Sequence, residues 1–315
     1  TLSMRIGEDP LIFEILNAKG KRLSHVDLIK NKIFEIINEQ GPADYAEVKW
    51  SEIKRILNSR TETIGLATYY RHFWISTYKK SSAPKLYDDF LKEVKPKSRD
   101  GYKKFLNEIE DNAENYIKIL SPRREDYQNR KEYFWLVQSL NILMDNFNIV
   151  QVRIALLALF KVKEKELVST KKFKETILFL ENFHFAYNAI TSGRASSFEG
   201  IYSKFAIALR LSKNSVDAHK IIDESLIKPL NKLFPDFEQF SKGFTALTFT
   251  KKGKSSNLKT KYVIQKLNSF YEKDEIFSDS GSIEHIISES TDEVSFNIGN
   301  LILLEVKLNG EAGNQ

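Results

Sequence analysis

Two stretches near the C-terminal end decide how this chain is read: Ser282-Ile283-Glu284-His285-Ile286-Ile287, then Ile298-Gly299-Asn300-Leu301-Ile302-Leu303-Leu304, with Val306-Lys307-Leu308-Asn309-Gly310 just beyond. Each apolar run is short enough for one strand, and a polar stretch separates the two. Asn309 stands at a helix-start signal. The order strand, strand, helix start puts a carboxylate beside a histidine and supplies two amides downstream. That combination fits a metal-dependent hairpin acting on phosphodiesters.

The chemistry explains the residue types. Hydrolysis of a phosphodiester needs an activated water, a clamp on the charged phosphate and a stabilised leaving oxygen, and one hard divalent cation supplies the last two. A histidine supplies the first, because its ordinary pKa of about 6.5 leaves much of it neutral near physiological pH. Carboxylate and amide oxygens suit Mg²⁺ or Mn²⁺. The expected roles are therefore His285 as general base and Glu284 and Asn309 as metal ligands. Asn300, expected within a strand over 298–304, would orient the imidazole and select its tautomer. Strand alternation sends Glu284 and His285 to opposite faces, so both can serve one phosphate only if the backbone turns there.

Each piece taken singly has an ordinary structural explanation. A Glu-His pair commonly ends a surface strand, Gly299-Asn300 makes a hairpin turn, and Asn309-Gly310 can close a helix. Their co-occurrence at this spacing is what favours a site.

On these residues the tail resembles an HNH, or ββα-metal, nuclease module, and in particular the C-terminal nuclease domain of GmrSD-type restriction endonucleases. The family's E/D-H-I-x-P strand is matched by Glu284-His285-Ile286, its I-G-N-L-x-L-L strand by Ile298-Gly299-Asn300-Leu301, and its L-N helix start by Leu308-Asn309. Ser288 stands where the family usually has proline. Further matches lie upstream. Phe13-Glu14-Ile15-Leu16-Asn17-Ala18-Lys19-Gly20-Lys21-Arg22-Leu23-Ser24 with Asp27-Leu28-Ile29-Lys30-Asn31 is similar to the segment closing the family's N-terminal nucleotide-linked domain. Tyr70-Arg71-His72-Phe73-Trp74-Ile75-Ser76 and Phe183-His184-Phe185-Ala186-Tyr187-Asn188-Ala189-Ile190 resemble stretches of its helical middle. The resemblance implies Asn17, Lys19 and Lys30 as polar contacts left from nucleotide binding, although arginine is commoner at the Lys19 position. It also implies double-stranded DNA, in modified form where modification dependence carries over, as the partner. The family's Asp-Gly-Gln-Gln-Arg motif does not occur in these 315 residues. The ββα unit should still be running at Gln315, so the expectation is a piece of a longer protein. A nucleotide such as GTP or ATP would then belong to the full-length parent only.

Composition sets broader limits. A chain of this length buries a large core. Its 42% hydrophobic and 29% charged residues describe a folded chain that is neither disordered nor membrane-embedded. With no cysteine there is neither a disulfide framework nor a thiolate metal site, which fits a cytoplasmic location. The five histidines, His25, His72, His184, His219 and His285, are too scattered for an evident zinc cluster, and the first four read as structural.

The formal net charge of +6 points toward a polyanion, and its distribution says more. From Lys242 to Lys266 there are seven lysines and no acid. Among them Lys251, Lys252, Lys254, Lys259 and Lys261 are the expected DNA-binding residues, neutralising phosphates just ahead of the site. A solvated surface loop is the simpler account of the same lysines. From Glu272 to Glu293 the sign reverses, as expected around a cation.

Most of the remaining sequence is helical by pattern. Ser24 caps a helix with Asp27 completing a capping box, and Val26, Ile29, Ile33 and Ile36-Ile37 form its apolar face. Ser121-Pro122 signals another start, with Tyr133, Leu136, Leu140 and Leu143 at helical spacing. A helix over 214–240 should break near Pro229 and Pro235. The rings of Tyr69-Tyr70-Arg71-His72-Phe73-Trp74 fit helix packing better than base stacking.

The expected fold is mainly α, a multi-helix region followed by a small C-terminal ββα-metal, HNH-like module. Its parts are the end of an N-terminal domain over 1–40, a helical region over 41–240 and the nuclease module over 241–315. The functional expectation is a metal-dependent DNA endonuclease with no membrane association, compatible with a homo-oligomer. The competing expectation is an inactive helical scaffold that binds DNA or a partner.

Overall fold

The computed structural model describes residues 24–38, 44–60, 64–250, 257–273, 281–288 and 293–305. Lys251, Lys252, Lys254, Asn17, Lys19 and Asn309 lie outside them. The protein is mainly helical, with one two-stranded antiparallel sheet near its C-terminal end. It divides into two compact units, Thr1–Glu114 and Asn115–Gln315.

In the first unit α1 (His25–Ile37) begins as its sequence requires. Ser24 Oγ accepts from Asp27 N–H while the Asp27 carboxylate accepts from Ser24 N–H, leaving Val26, Ile29, Ile33 and Ile37 on the buried face. That face meets α2 (Tyr45–Leu57), α3 (Leu66–Thr77) and α4 (Leu86–Glu93). The aromatic stretch of α3 is core, since Tyr69, Tyr70, Phe73 and Trp74 have no exposed surface. Trp74 stacks on Tyr78 at 4.5 Å between ring centroids. Tyr69 Oη donates to the Ile109 carbonyl on α5 (Arg99–Leu120).

Ser121-Pro122 ends α5 instead of starting a helix, which corrects the sequence reading. Ser121 N–H still donates to Ile117 O, but Pro122 has no N–H to continue the ladder. Gln128 and Asn129 then take left-handed backbone angles, φ 56° and 55°, incompatible with one continuous helix. The next helix, α6, begins only at Phe134 and ends at Asn141.

The core of the second unit is built on α7 (Val152–Glu164), which packs along α9 (Glu199–Arg210) and against α8 (Thr170–His184), on which α6 also packs. Three helices continue into wide π-type turns, at Ile142–Asn146, Phe185–Ile190 and Ile222–Ile227. The last joins α10 (Ser215–Ile221) to α11 (Lys228–Asn231), so Pro229 lies within the helix and the break falls near Pro235, before α12 (Phe237–Thr245). Among the described residues no helix is long and apolar enough to cross a membrane.

α13 (Asn257–Glu272) connects this body to the sheet. Tyr262 and Val263 join a cluster with Ile142, Ile190 and Leu247. Ile264 faces the other way, into a smaller cluster with Ile283 and Leu301. Those two residues belong to β1 (Gly281–His285) and β2 (Leu301–Glu305), paired with Ile283 opposite Leu303 and His285 opposite Leu301.

Candidate functional site

β1 places Ile283 and His285 on the inner face and Ser282 and Glu284 on the other. The His285 ring lies against Phe249 and Phe296, each at 6.1 Å between centroids. Its Nε2 is 3.1 Å from the Phe249 carbonyl oxygen. A carbonyl can only accept, so Nε2 carries the proton and Nδ1 keeps the basic lone pair. Nδ1 itself is buried.

Phe249 is held in register by the backbone. Its N–H donates to Phe296 O, Ile298 N–H donates to Leu247 O, and Thr248 forms a single antiparallel bridge with Asn297. Residues 247–249 thus pair with 296–298, in the connection between the two strands, and deliver the carbonyl that sets the histidine tautomer. The sequence reading missed this element.

Asn300 was expected within a strand and turned to the imidazole; the structure places it elsewhere. It closes a tight turn, Ile298–Asn300, immediately before β2. Its Nδ2 donates to Ile287 O at 2.8 Å and Ser295 O at 2.6 Å, and its Oδ1 accepts from Ile287 N–H at 2.8 Å. Both amide hydrogens are used on backbone carbonyls, so Asn300 pins the turn after β1 to the end of the connecting loop. Orientation of His285 falls instead to the Phe249 carbonyl.

Glu284 stands opposite Ile302, whose side chain is exposed. Pairing continues through His285–Leu301, and Ile286 N–H still donates to Asn300 O. The backbone therefore turns only after His285, and the two side chains stay on opposite faces of the sheet. Among the described residues no group of three or more His, Asp or Glu side chains is placed to hold a metal ion. Of the two expected oxygen ligands, Glu284 lies among the described residues and Asn309 outside them.

The expected phosphate-binding lysines divide. Lys259 Nζ donates at 2.7 Å to Ala189 O, a carbonyl of the second π-type turn, and so seats α13 on the helical body. Lys261 is half-buried and lines a concavity between α6 and α13. Lys30, on α1, lies over the Phe34 ring at 5.0 Å.

Two buried networks fix the surroundings. Glu181, 1% exposed, accepts from Tyr262 Oη at 2.8 Å and from Lys266 Nζ at 2.9 Å, tying α13 to α8. Burial, with the Glu181 charge adding to it, pushes the Tyr262 hydroxyl well above its ordinary pKa, so it remains a donor. His184 is buried between Tyr202 Oη, 2.6 Å from Nε2, and Asn188 Oδ1, 2.5 Å from Nδ1. Asn188 spends its own amide hydrogen on Gly193 O, so His184 Nδ1–H donates to Asn188 while Nε2 accepts from Tyr202. Burial lowers the His184 pKa to about 4, the Asn188 bond opposing it. The conspicuous stretch 183–190 is explained by this packing.

No protein-family model matches the chain, and no curated protein matches it in sequence.

Proposed function

We propose that the chain is a metal-dependent DNA endonuclease of the GmrSD type, acting in restriction of phage DNA. The observation that carries the reading is His285, at the last paired position of β1 with Nε2 committed to the Phe249 carbonyl. The fixed tautomer leaves Nδ1 as the only nitrogen able to accept a proton from water. Because Nδ1 is buried, base action requires local opening around the ring. Glu284, with Asn309, would hold Mg²⁺ or Mn²⁺. When bound, that ion would grip the scissile phosphate and stabilise the departing oxygen. Asn300 keeps the turn after β1 closed, fixing where the strand carrying both residues ends.

The test is cleavage of supercoiled plasmid with Mg²⁺ or Mn²⁺, beside His285→Ala, with thermal melts to verify folding. Wild type should nick or linearise the plasmid, and the folded variant should lose about 100-fold or more, the usual contribution of general-base catalysis. Equal cutting by both proteins would remove His285 from the role, and no cutting of modified or unmodified DNA with either metal would remove the nuclease reading.

A second reading is favoured by the opposite facing of Glu284 and His285 and the burial of Nδ1: a helical scaffold whose hairpin binds DNA or a partner and cuts nothing. Mn²⁺ binding separates the two. A catalytic hairpin binds the ion and loses it on Glu284→Ala, whereas a scaffold does neither.

A further inference from the structure

A concavity of about 320 Å³ opens between α6, with its following π-type turn, and α13. Among its described lining residues are two cations, Arg124 and Lys261, four amides, Gln138, Asn141, Asn146 and Gln265, and no carboxylate. Some cations elsewhere in this unit are paired with acids. Lys161 pairs with Glu164, Lys228 with Glu224 and Lys266 with Glu181. Among the described residues neither Arg124 nor Lys261 forms an ion pair.

Arg124 is also oriented. Its guanidinium lies over the Phe134 ring, 4.2 Å from the centroid. The ring contact holds the guanidinium beside the apolar wall, and its fork of N–H donors suits two oxygens of one phosphate. Lys261 adds a compact charge. Asn141 and Asn146 each carry both donor and acceptor, as a polar ring or sugar beside that phosphate would need, and Phe134, Val137, Ile142 and Leu258 add apolar wall. The volume is at the small end for ligand pockets, enough for one compact group and too little for an extended chain. A hard cation is a poor match, since it would meet two positive charges and no carboxylate.

We propose that this concavity binds a phosphate-bearing group of nucleotide size, its phosphate held by Arg124 and Lys261 and its organic part by Asn141 and Asn146. The chemistry is shared by a free nucleotide and by one nucleotide unit of DNA. It requires neither the hairpin nor a metal.

The test is calorimetric titration of the full chain in EDTA with deoxyadenosine monophosphate, and separately with a short DNA duplex. Each is repeated with Arg124→Gln, Lys261→Gln and Asn146→Asp, the last placing a carboxylate in the wall. Each substitution should weaken binding by about tenfold or more, the usual cost of losing a charged hydrogen-bond partner, with the melting transition kept. If the mononucleotide binds with that pattern, the site takes a free nucleotide. If only the duplex does, and the salt dependence falls by about one unit for each cation removed, the source is DNA. No binding of either probe, or binding indifferent to all three substitutions, would overturn the proposal. The titration is run in EDTA, without the divalent ion that plasmid cleavage needs, so failure of cleavage and failure of this site read separately.

Discussion

The α7 core and the β1–β2 hairpin lie in the same compact unit and are held by different means. Ile154, Ala155, Leu156, Leu157, Ala158 and Leu159 are consecutive and have no exposed surface, so α7 is enclosed on every side. The hairpin buries little beyond Ile283 and Leu301, and leaves Ile286 67% and Ile287 56% exposed. An isolated two-stranded ribbon is marginal in water, and this one persists through α13 on one face and hydrogen bonds at its ends. The body is held by removal of apolar surface from water, while the candidate site is held by directed bonds that local opening can break. Low local stability is characteristic of segments that must move to work.

The contrast can be tested most forcefully in the body. Leu157→Ala should cost about 2–5 kcal/mol, since it opens a cavity where no neighbour can collapse into solvent, and chemical denaturation would read it. A loss below about 1 kcal/mol would mean that the core of the second unit is not built on α7.

His184 gives a pH dependence of similar reach. Its folded pKa of about 4 lies below the unfolded value near 6.5, so the unfolded chain takes up the proton first. Stability should therefore fall as pH drops from about 6.5 to about 4, by on the order of 3 kcal/mol in total, and level off below. His184→Gln should flatten that slope. An unchanged slope would place the titration elsewhere.

The smallest effect belongs to the hairpin. Asn300→Ala removes three hydrogen bonds to backbone and should cost about 1–3 kcal/mol locally. Hydrogen exchange should quicken at Ile287 and along β1 and stay unchanged in α7. Exchange accelerated equally in both would show that the two regions melt together.

Much of the helical body was legible because its signals are local. The Ser24-Asp27 box needed only the chain itself. Ser121-Pro122 misled because proline suits the first turn of one helix and the end of another, and only the left-handed pair at Gln128 and Asn129 decides between them. The π-type turns left no sequence mark, since tertiary packing sets them. At the candidate site, the facing of Glu284 and His285 followed from strand periodicity. Asn300 was misplaced because Ile298, read as strand, is drawn into a tight turn by its bond to Leu247 and its packing against both clusters that flank α13. The Phe249 carbonyl was beyond reach, because every residue but proline has the same backbone groups. Arg124 and Lys261 are equally silent in sequence, being brought together only by the fold.

α13 has one further consequence. It carries Lys261 toward the concavity, Tyr262 and Val263 toward the helical body and Ile264 toward the hairpin, within a single helical turn. A rigid helix cannot settle one of these contacts without constraining the others. Where a ligand at Lys261 steadies the strands beside Ile264, reciprocity requires that whatever steadies the hairpin tighten the hold on that ligand by the same factor.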